Sequence, residues 1–364
     1  MKNKTYKEKY KPVAFPRDEQ KHDHIIEWWY FNGNLRDKRG RLFSYMDCFF
    51  AAKPDKVDIQ FLKIPLKQIF FSHYFLSDNK KMSLKKVNPL CFLDDNSFAK
   101  PLLWINYDNS CLIQETKPFE YRIANEFIDL ELKSEKVPLL LNKNGFLDFK
   151  VKTTYYYSLT RLKTKGMIKV NKKWIEVEGQ SWMDHQWSQT PATDDDIWVW
   201  FSIQLDNNAE IVCFVYGDKI KTFHASLLDA QGRIETTDKV VFAETGVNYK
   251  SPDTGQVYKL GYKIEIPKFK AKLTVAPLKK EQEMIFGNIN YWEGGVKIKG
   301  ELKGKKVEGL GFGEITAKIK SKKLASSVWK KITSKSIWKN IQDLSNFSAK
   351  TIYFLNKEII NKKR

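Results

Sequence analysis

Cysteine is scarce in this 364-residue chain, and its placement excludes two classes of small scaffold. The four thiols, Cys48, Cys91, Cys111 and Cys213, are widely spaced with no CxxC pair, unlike a zinc ribbon or a disulfide framework. They read as small buried hydrophobes in a reducing compartment. No apolar run approaches the roughly 18 residues of a membrane span. The first fifteen residues are lysine-rich and lack the apolar stretch of a secretory signal, so the expected location is cytoplasmic, with peripheral membrane contact through a tail. A GxSxG elbow, a phosphate-binding GxxxxGK[ST] loop and a dinucleotide fingerprint are all missing. The glycines at 309, 311 and 313 have the wrong spacing for phosphate and read as places where strands approach closely.

Aromatic rings are abundant at 14% of residues, and flat bulky rings favour pleated strands. Acidic residues are outnumbered, 43 against 63 basic, for a net charge of +20. That excess sits in two tails: residues 1–11 carry +4 and residues 318–364 carry +11, leaving +5 on residues 12–317. A nearly balanced core offers no basic stripe, so nucleic acid is not an expected partner. In the second tail Trp329, Ile332, Trp338, Ile341, Leu344, Ile352, Leu355 and Ile359 recur mostly every three or four residues among lysines. This spacing predicts one or two amphipathic helices that either dock on an anionic membrane or pack back on the core.

Between the tails the pattern is that of strands. Aromatic and β-branched runs bounded by turn residues recur from residue 25 to 51 and again at 146–162, 166–179, 197–205, 210–216 and 261–267. One pair repeats at an offset of 170 residues. Trp28-Trp29-Tyr30-Phe31 with Leu35 parallels Trp198-Val199-Trp200-Phe201 with Leu205, and each is followed by a polar turn and another apolar strand. An all-β protein with two similar units in tandem follows, with expected boundaries at 12–190 and 191–317, a basic tail at 1–11 and a basic helical tail at 318–364.

Four segments carry a resemblance. His24-Ile25-Ile26-Glu27-Trp28-Trp29-Tyr30-Phe31-Asn32-Gly33-Asn34-Leu35, Gly179-Gln180-Ser181-Trp182-Met183-Asp184-His185-Gln186-Trp187-Ser188, Tyr291-Trp292-Glu293-Gly294 and Gly311-Phe312-Gly313-Glu314 resemble, in this order, the carotenoid 1,2-hydratase (hydroxyneurosporene synthase) and AttH-like lipocalin family. The resemblance implies two tandem lipocalin-like antiparallel β-barrels around a ligand cavity. It also implies a hydratase, lyase or isomerase acting on the alkene of an isoprenoid-like hydrophobic ligand, without a cofactor. The alternative is a non-enzymatic carrier of lipids or terpenoids.

Adding water to an unactivated alkene needs a carboxylic acid kept neutral by an apolar pocket. It also needs aromatic faces to stabilise the cation that forms. Asp184 and His185 lie between Trp182 and Trp187, and strand alternation sends Asp184 with Trp182 to one face and His185 with Trp187 to the other. The resemblance further implies a His-x-Trp at His185 and Trp187 and a Tyr-x-Asp at Tyr216 and Asp218, making Asp218 and Asp184 competing proton donors. Read from its residues alone, Tyr216-Gly217-Asp218 is better taken as a strand running into a turn. Glu27, Trp28, Trp29, Trp200, Tyr291 and Trp292 complete the expected ligand wall. His22, His24 and Glu27 have a ligand-like look, but no fourth group is evident and no metal is expected. His73 and His224 are isolated and read as ordinary structural histidines.

Overall fold

The computed structural model describes residues 10–53, 68–88, 90–108, 110–149, 152–190, 196–286 and 289–316. The expected helical tail at 318–364 and most of the 1–11 tail lie outside these residues.

Strands supply nearly all of the regular secondary structure in the described chain, with three short 3-10 turns among them, and every strand pairing is antiparallel. Two large curled sheets of 12 and 10 strands give the lipocalin-like architecture expected of the sequence. The first sheet uses strands between Ile26 and Ser188, and the second uses strands between Trp198 and Thr316. In each sheet the first strand pairs with both its successor and the sheet's last long strand. Ile26–Asp37 lies between Leu42–Ala52 and Lys173–Ser188, and Trp198–Leu205 lies between Glu210–Tyr216 and Lys305–Thr316. The two aromatic segments 170 residues apart therefore hold the same topological place.

These shared strands are buried on both faces, which explains their poor polar alternation. From Ile26–Asp37, Trp29, Phe31 and Leu35 join the core of the first barrel, with Met183 and Trp187 from the neighbouring strand. From Trp198–Leu205, Phe201, Ile203 and Leu205 join the core of the second, with Trp292, Val296 and Ile298. The opposite faces meet in a third cluster, between the barrels, that includes Tyr30, Met46, Cys48, Phe75, Tyr156, Trp182, Trp200, Phe214, Tyr216, Tyr291 and Phe312.

The barrels touch closely. Phe75 stacks on Phe312 with centroids 5.9 Å apart, and Asn34 Nδ2 donates to the Gly311 carbonyl at 3.1 Å. A Cβ on Gly295 would collide with the Ser44 hydroxyl of the other barrel, so only glycine permits this approach. Gly311 is tight for a different reason: a Cβ there would strike the Ser202 carbonyl of the adjacent strand. A buried Glu210 from the second barrel receives Arg161 and Lys136 of the first at 2.5 and 2.7 Å. Paired in this way, the charges are accommodated in a site that would reject any one of them alone.

Candidate active site between the barrels

Strand alternation delivers the second resemblance segment to two different places. Asp184 and Trp182 face the gap between the barrels, whereas His185 and Trp187 face the interior of the first barrel. The gap is where carboxyl groups gather. Asp184 Oδ1 accepts hydrogen bonds from the Ser158 hydroxyl (2.5 Å) and the Trp182 indole (2.6 Å), and Oδ2 accepts from the Tyr156 hydroxyl (2.6 Å). The Tyr156 oxygen in turn accepts from the Trp200 indole of the second barrel at 2.9 Å. Burial pushes the Asp184 carboxyl up to about 7, against the pull of its three donors.

The second barrel contributes two more acids. Glu293, on Ile289–Leu302, is fully buried and accepts from the Tyr30 hydroxyl at 2.5 Å through Oε1. Its Oε2 is buried with no hydrogen-bond partner among the described residues. Glu314, on Lys305–Thr316, accepts from the Trp198 indole at 3.0 Å. Glu293 and Glu314 sit directly opposite each other in the strand register. Burial raises both, Glu314 to about 8, and mutual repulsion raises Glu293 further, while the Tyr30 donor pulls the other way. Among the described residues no lysine, arginine or histidine forms an ion pair with any of the three. Burial thus disfavours the charged form of all three carboxyl groups, which gather among aromatic and apolar side chains.

The cluster extends to His73, whose Nδ1 lies 2.6 Å from the Tyr291 hydroxyl, and burial lowers this imidazole to about 3, so it is neutral. Trp28 is half-buried and packs against the same apolar group. A surface groove of about 510 Å³ lined by Arg39, Arg41, Asp78, Lys80 and Leu278, among others, shares no residue with it.

Of the residues expected from sequence, Asp184, Trp182, Trp200, Tyr216, Tyr291 and Trp28 belong to this inter-barrel group. His185, Glu27, Trp29 and Trp187 do not: alternation turns them into the first barrel, behind the sheet. Trp292 is likewise turned into the second barrel's core, where its indole donates to the Lys280 carbonyl at 2.7 Å. Asp218 is half-exposed in the turn after Glu210–Tyr216, following Gly217 at φ +97°, which is the turn geometry that glycine favours. The Tyr216 hydroxyl donates to Asp196. The acids thus gather between the barrels, outside either barrel's own packed interior. Sequence reasoning missed Glu293 and Glu314 as site residues, although each lies in a segment that carried the resemblance. Both are single acids set among glycines and large apolar residues on strands, and that combination was the available signal.

Tandem lipocalin-like barrels with acids gathered at their junction define the fold and the candidate site, and the comparisons place the chain in a family. The AttH-like family matches residues 6–318, and the chain belongs to that family. An AttH-type protein from Nitrosomonas europaea is 25% identical, with a TM-score of 0.71 over 85% of this chain and 98% of that one. Kievitone hydratase from Nectria haematococca has the same fold at 16% identity, with a TM-score of 0.67 over 84% of this chain and 93% of that one. CghA matches at 11% identity and a TM-score of 0.52, covering 82% of this chain and 90% of that one. A search of curated proteins finds no match. Among the described residues no helix is long and apolar enough to cross a membrane.

Proposed function

We propose that the protein is a hydratase or related lyase that protonates an alkene in a hydrophobic, isoprenoid-like ligand at the junction of its two barrels. The observation that carries this reading is Glu293: a fully buried carboxyl with one oxygen held by Tyr30 and the other without a hydrogen-bond partner among the described residues, where burial favours the protonated form. A carboxyl group in that state can act as a proton donor to a ligand admitted beside it. In the forward step the Glu293 proton adds to one alkene carbon, and the resulting cation is stabilised by the faces of Trp182, Trp200 and Trp28. Water adds its oxygen to the cation and passes a proton to Asp184, so the ligand gains the elements of water. Asp184 then releases that proton and Glu293 regains one by exchange with solvent, which restores both groups. A purely apolar junction would instead have favoured the carrier reading, and three acids with no ion-pair partner among the described residues argue against it. The hydratase among the proteins of the same fold agrees in reaction class, and carotenoid-like polyenes are one substrate class to try first.

The test is incubation of the full chain with a panel of isoprenoid, polyene and prenylated aromatic ligands in heavy-oxygen water. The proposal expects label in one ligand class, abolished by Glu293→Gln. Ligands that bind and are returned unlabelled and unisomerised across the panel would establish the carrier instead. The basic tail at 318–364 forms part of the same proposal, as a dock to anionic membrane where such ligands reside. Deleting it should abolish binding to anionic vesicles and leave the barrels folded.

A further inference from the structure

Behind the sheet from the acid cluster, three donor side chains converge from separate stretches of chain. His22 lies between the 3-10 turn Arg17–Glu19 and the first strand, Glu27 lies on that strand, and His185 lies on its neighbour. His22 Nδ1 and His185 Nε2 approach the same oxygen, Glu27 Oε1, at 2.7 and 2.8 Å. The three donor atoms all fall within 4.8 Å of one another. Glu27 and His185 are buried, and His22 keeps 17% of its side chain exposed, which leaves a way in from solvent.

We propose that His22, Glu27 and His185 bind one divalent transition-metal ion of the zinc type. Two imidazoles and a carboxylate are a common donor set for such an ion, whose fourth position is then left to solvent. What distinguishes this trio from a chance hydrogen-bonded group is the second layer. Each histidine turns one nitrogen to the shared centre and has a partner on the other: Asp18 Oδ1 lies 3.3 Å from His22 Nε2, and the Tyr157 hydroxyl lies 3.3 Å from His185 Nδ1. Partners of this kind fix the tautomer and ring orientation of metal-ligating histidines. The layer continues inward, because Tyr157 also donates to Glu19 at 2.8 Å and the Tyr121 hydroxyl donates to the same carboxyl. The rings themselves are clamped: His22 stacks on Trp187 with centroids 3.9 Å apart, and His185 stacks on Trp29 at 4.7 Å.

Donors around a tetrahedral zinc stand about 3.3 Å apart at ordinary bond lengths. The present contacts must therefore open by roughly half an ångström as the ion replaces the two imidazole protons. The sequence spacing pointed to His22 with His24, but His24 is not among the converging donors. Its ring stands edge-on to His22 with centroids 5.8 Å apart. An ion here would pin the segment around residues 17–22 to the mouth of the first barrel, and it would do so whether or not the acid cluster is catalytic.

The experiment takes the full chain, dialysed against a chelator, and titrates it with Zn²⁺ and separately with Co²⁺, followed by desalting and elemental analysis. One ion per chain is expected, with the visible absorption of a low-coordinate nitrogen- and oxygen-ligated Co²⁺. His22→Gln lies outside the strands and should keep the fold while losing affinity by more than the roughly tenfold to hundredfold that loss of an outer partner costs. Asp18→Asn should weaken binding within that smaller range, and His24→Gln should leave it unchanged. Three results would overturn the proposal: no ion retained by folded wild type, equal retention by His22→Gln, or a loss in His24→Gln as large as in His22→Gln.

Discussion

Two buried clusters lie back to back across the Lys173–Ser188 strand, and they treat their carboxyl groups in opposite ways. On the first-barrel side, burial alone would raise Glu27, but hydrogen bonds from His185 and His22 outweigh it and hold the carboxyl below its usual range. His22 is correspondingly raised by Asp18 and Glu27 against its own burial. On the junction side the acids have neutral hydroxyl and indole donors but no cation among the described residues, and burial wins. The lesson is that depth of burial does not decide a carboxyl's charge. Between these two clusters the difference is whether the fold brings an imidazole within hydrogen-bond reach.

The largest expected effect falls on the junction. Glu293→Gln keeps the shape and can still accept from Tyr30, but it removes the proton, so turnover of any reacting ligand should fall by about 10² to 10⁴ with the fold retained. A loss below tenfold, measured as product per minute at saturating ligand, would move the donor role to Glu314 or Asp184. The same isosteric change on the other face should act on stability. In metal-free protein, Glu27→Gln replaces the shared acceptor of two imidazole donors, and breaking a buried pair of this kind costs about 3 kcal/mol or more. Denaturant unfolding that shows less than about 1 kcal/mol would mean that the His22–Glu27–His185 contacts carry little of the first barrel's stability.

Glu314→Gln sharpens the contrast by reversing the sign. Burial lifts the Glu314 carboxyl from an ordinary value near 4.5 to about 8, so the folded chain holds a proton that the unfolded chain releases. Between those values stability falls as pH rises, and above 8 the full penalty applies. Glutamine keeps the Trp198 hydrogen bond and cannot titrate. The variant should therefore match wild type near pH 4 and exceed it by about 2 kcal/mol at pH 9, at roughly 1.4 kcal/mol per pKa unit with most of the shift discounted for relaxation. A variant less stable than wild type at pH 9 would show that Glu314 has a cationic partner in solution.

How much of this was legible beforehand follows from the period of a strand. Alternation alone separated Asp184 from His185, and the 170-residue repeat anticipated two barrels whose first strands are equivalent. Which face held the acids was not legible, because Ile26–Asp37 and Lys173–Ser188 bury both faces and both faces carry tryptophan. Glu293 meets Tyr30 across 263 positions of sequence, a distance over which local pattern says nothing. His185 displaced His24 from the histidine cluster for the same reason: strand pairing, not spacing, brings it beside Glu27.

The smallest effect tests the junction most finely. Tyr30→Phe removes one hydroxyl and preserves the ring, which packs edge-on against Trp200 with centroids 5.8 Å apart. The lost hydrogen bond is worth about 1 kcal/mol, so the fold and most of the turnover should survive. Its consequence is directional. The Tyr30 hydroxyl stabilises the ionised form of Glu293, so without it the carboxyl holds its proton to higher pH. The carboxylic-acid infrared band assigned by its disappearance in Glu293→Gln should then persist to more alkaline pH in Tyr30→Phe than in wild type. Any alkaline limb of activity should move the same way. A band that titrates lower, or does not move, would mean that Tyr30 donates to a different acid and that Glu293 is not the group whose proton the junction stores.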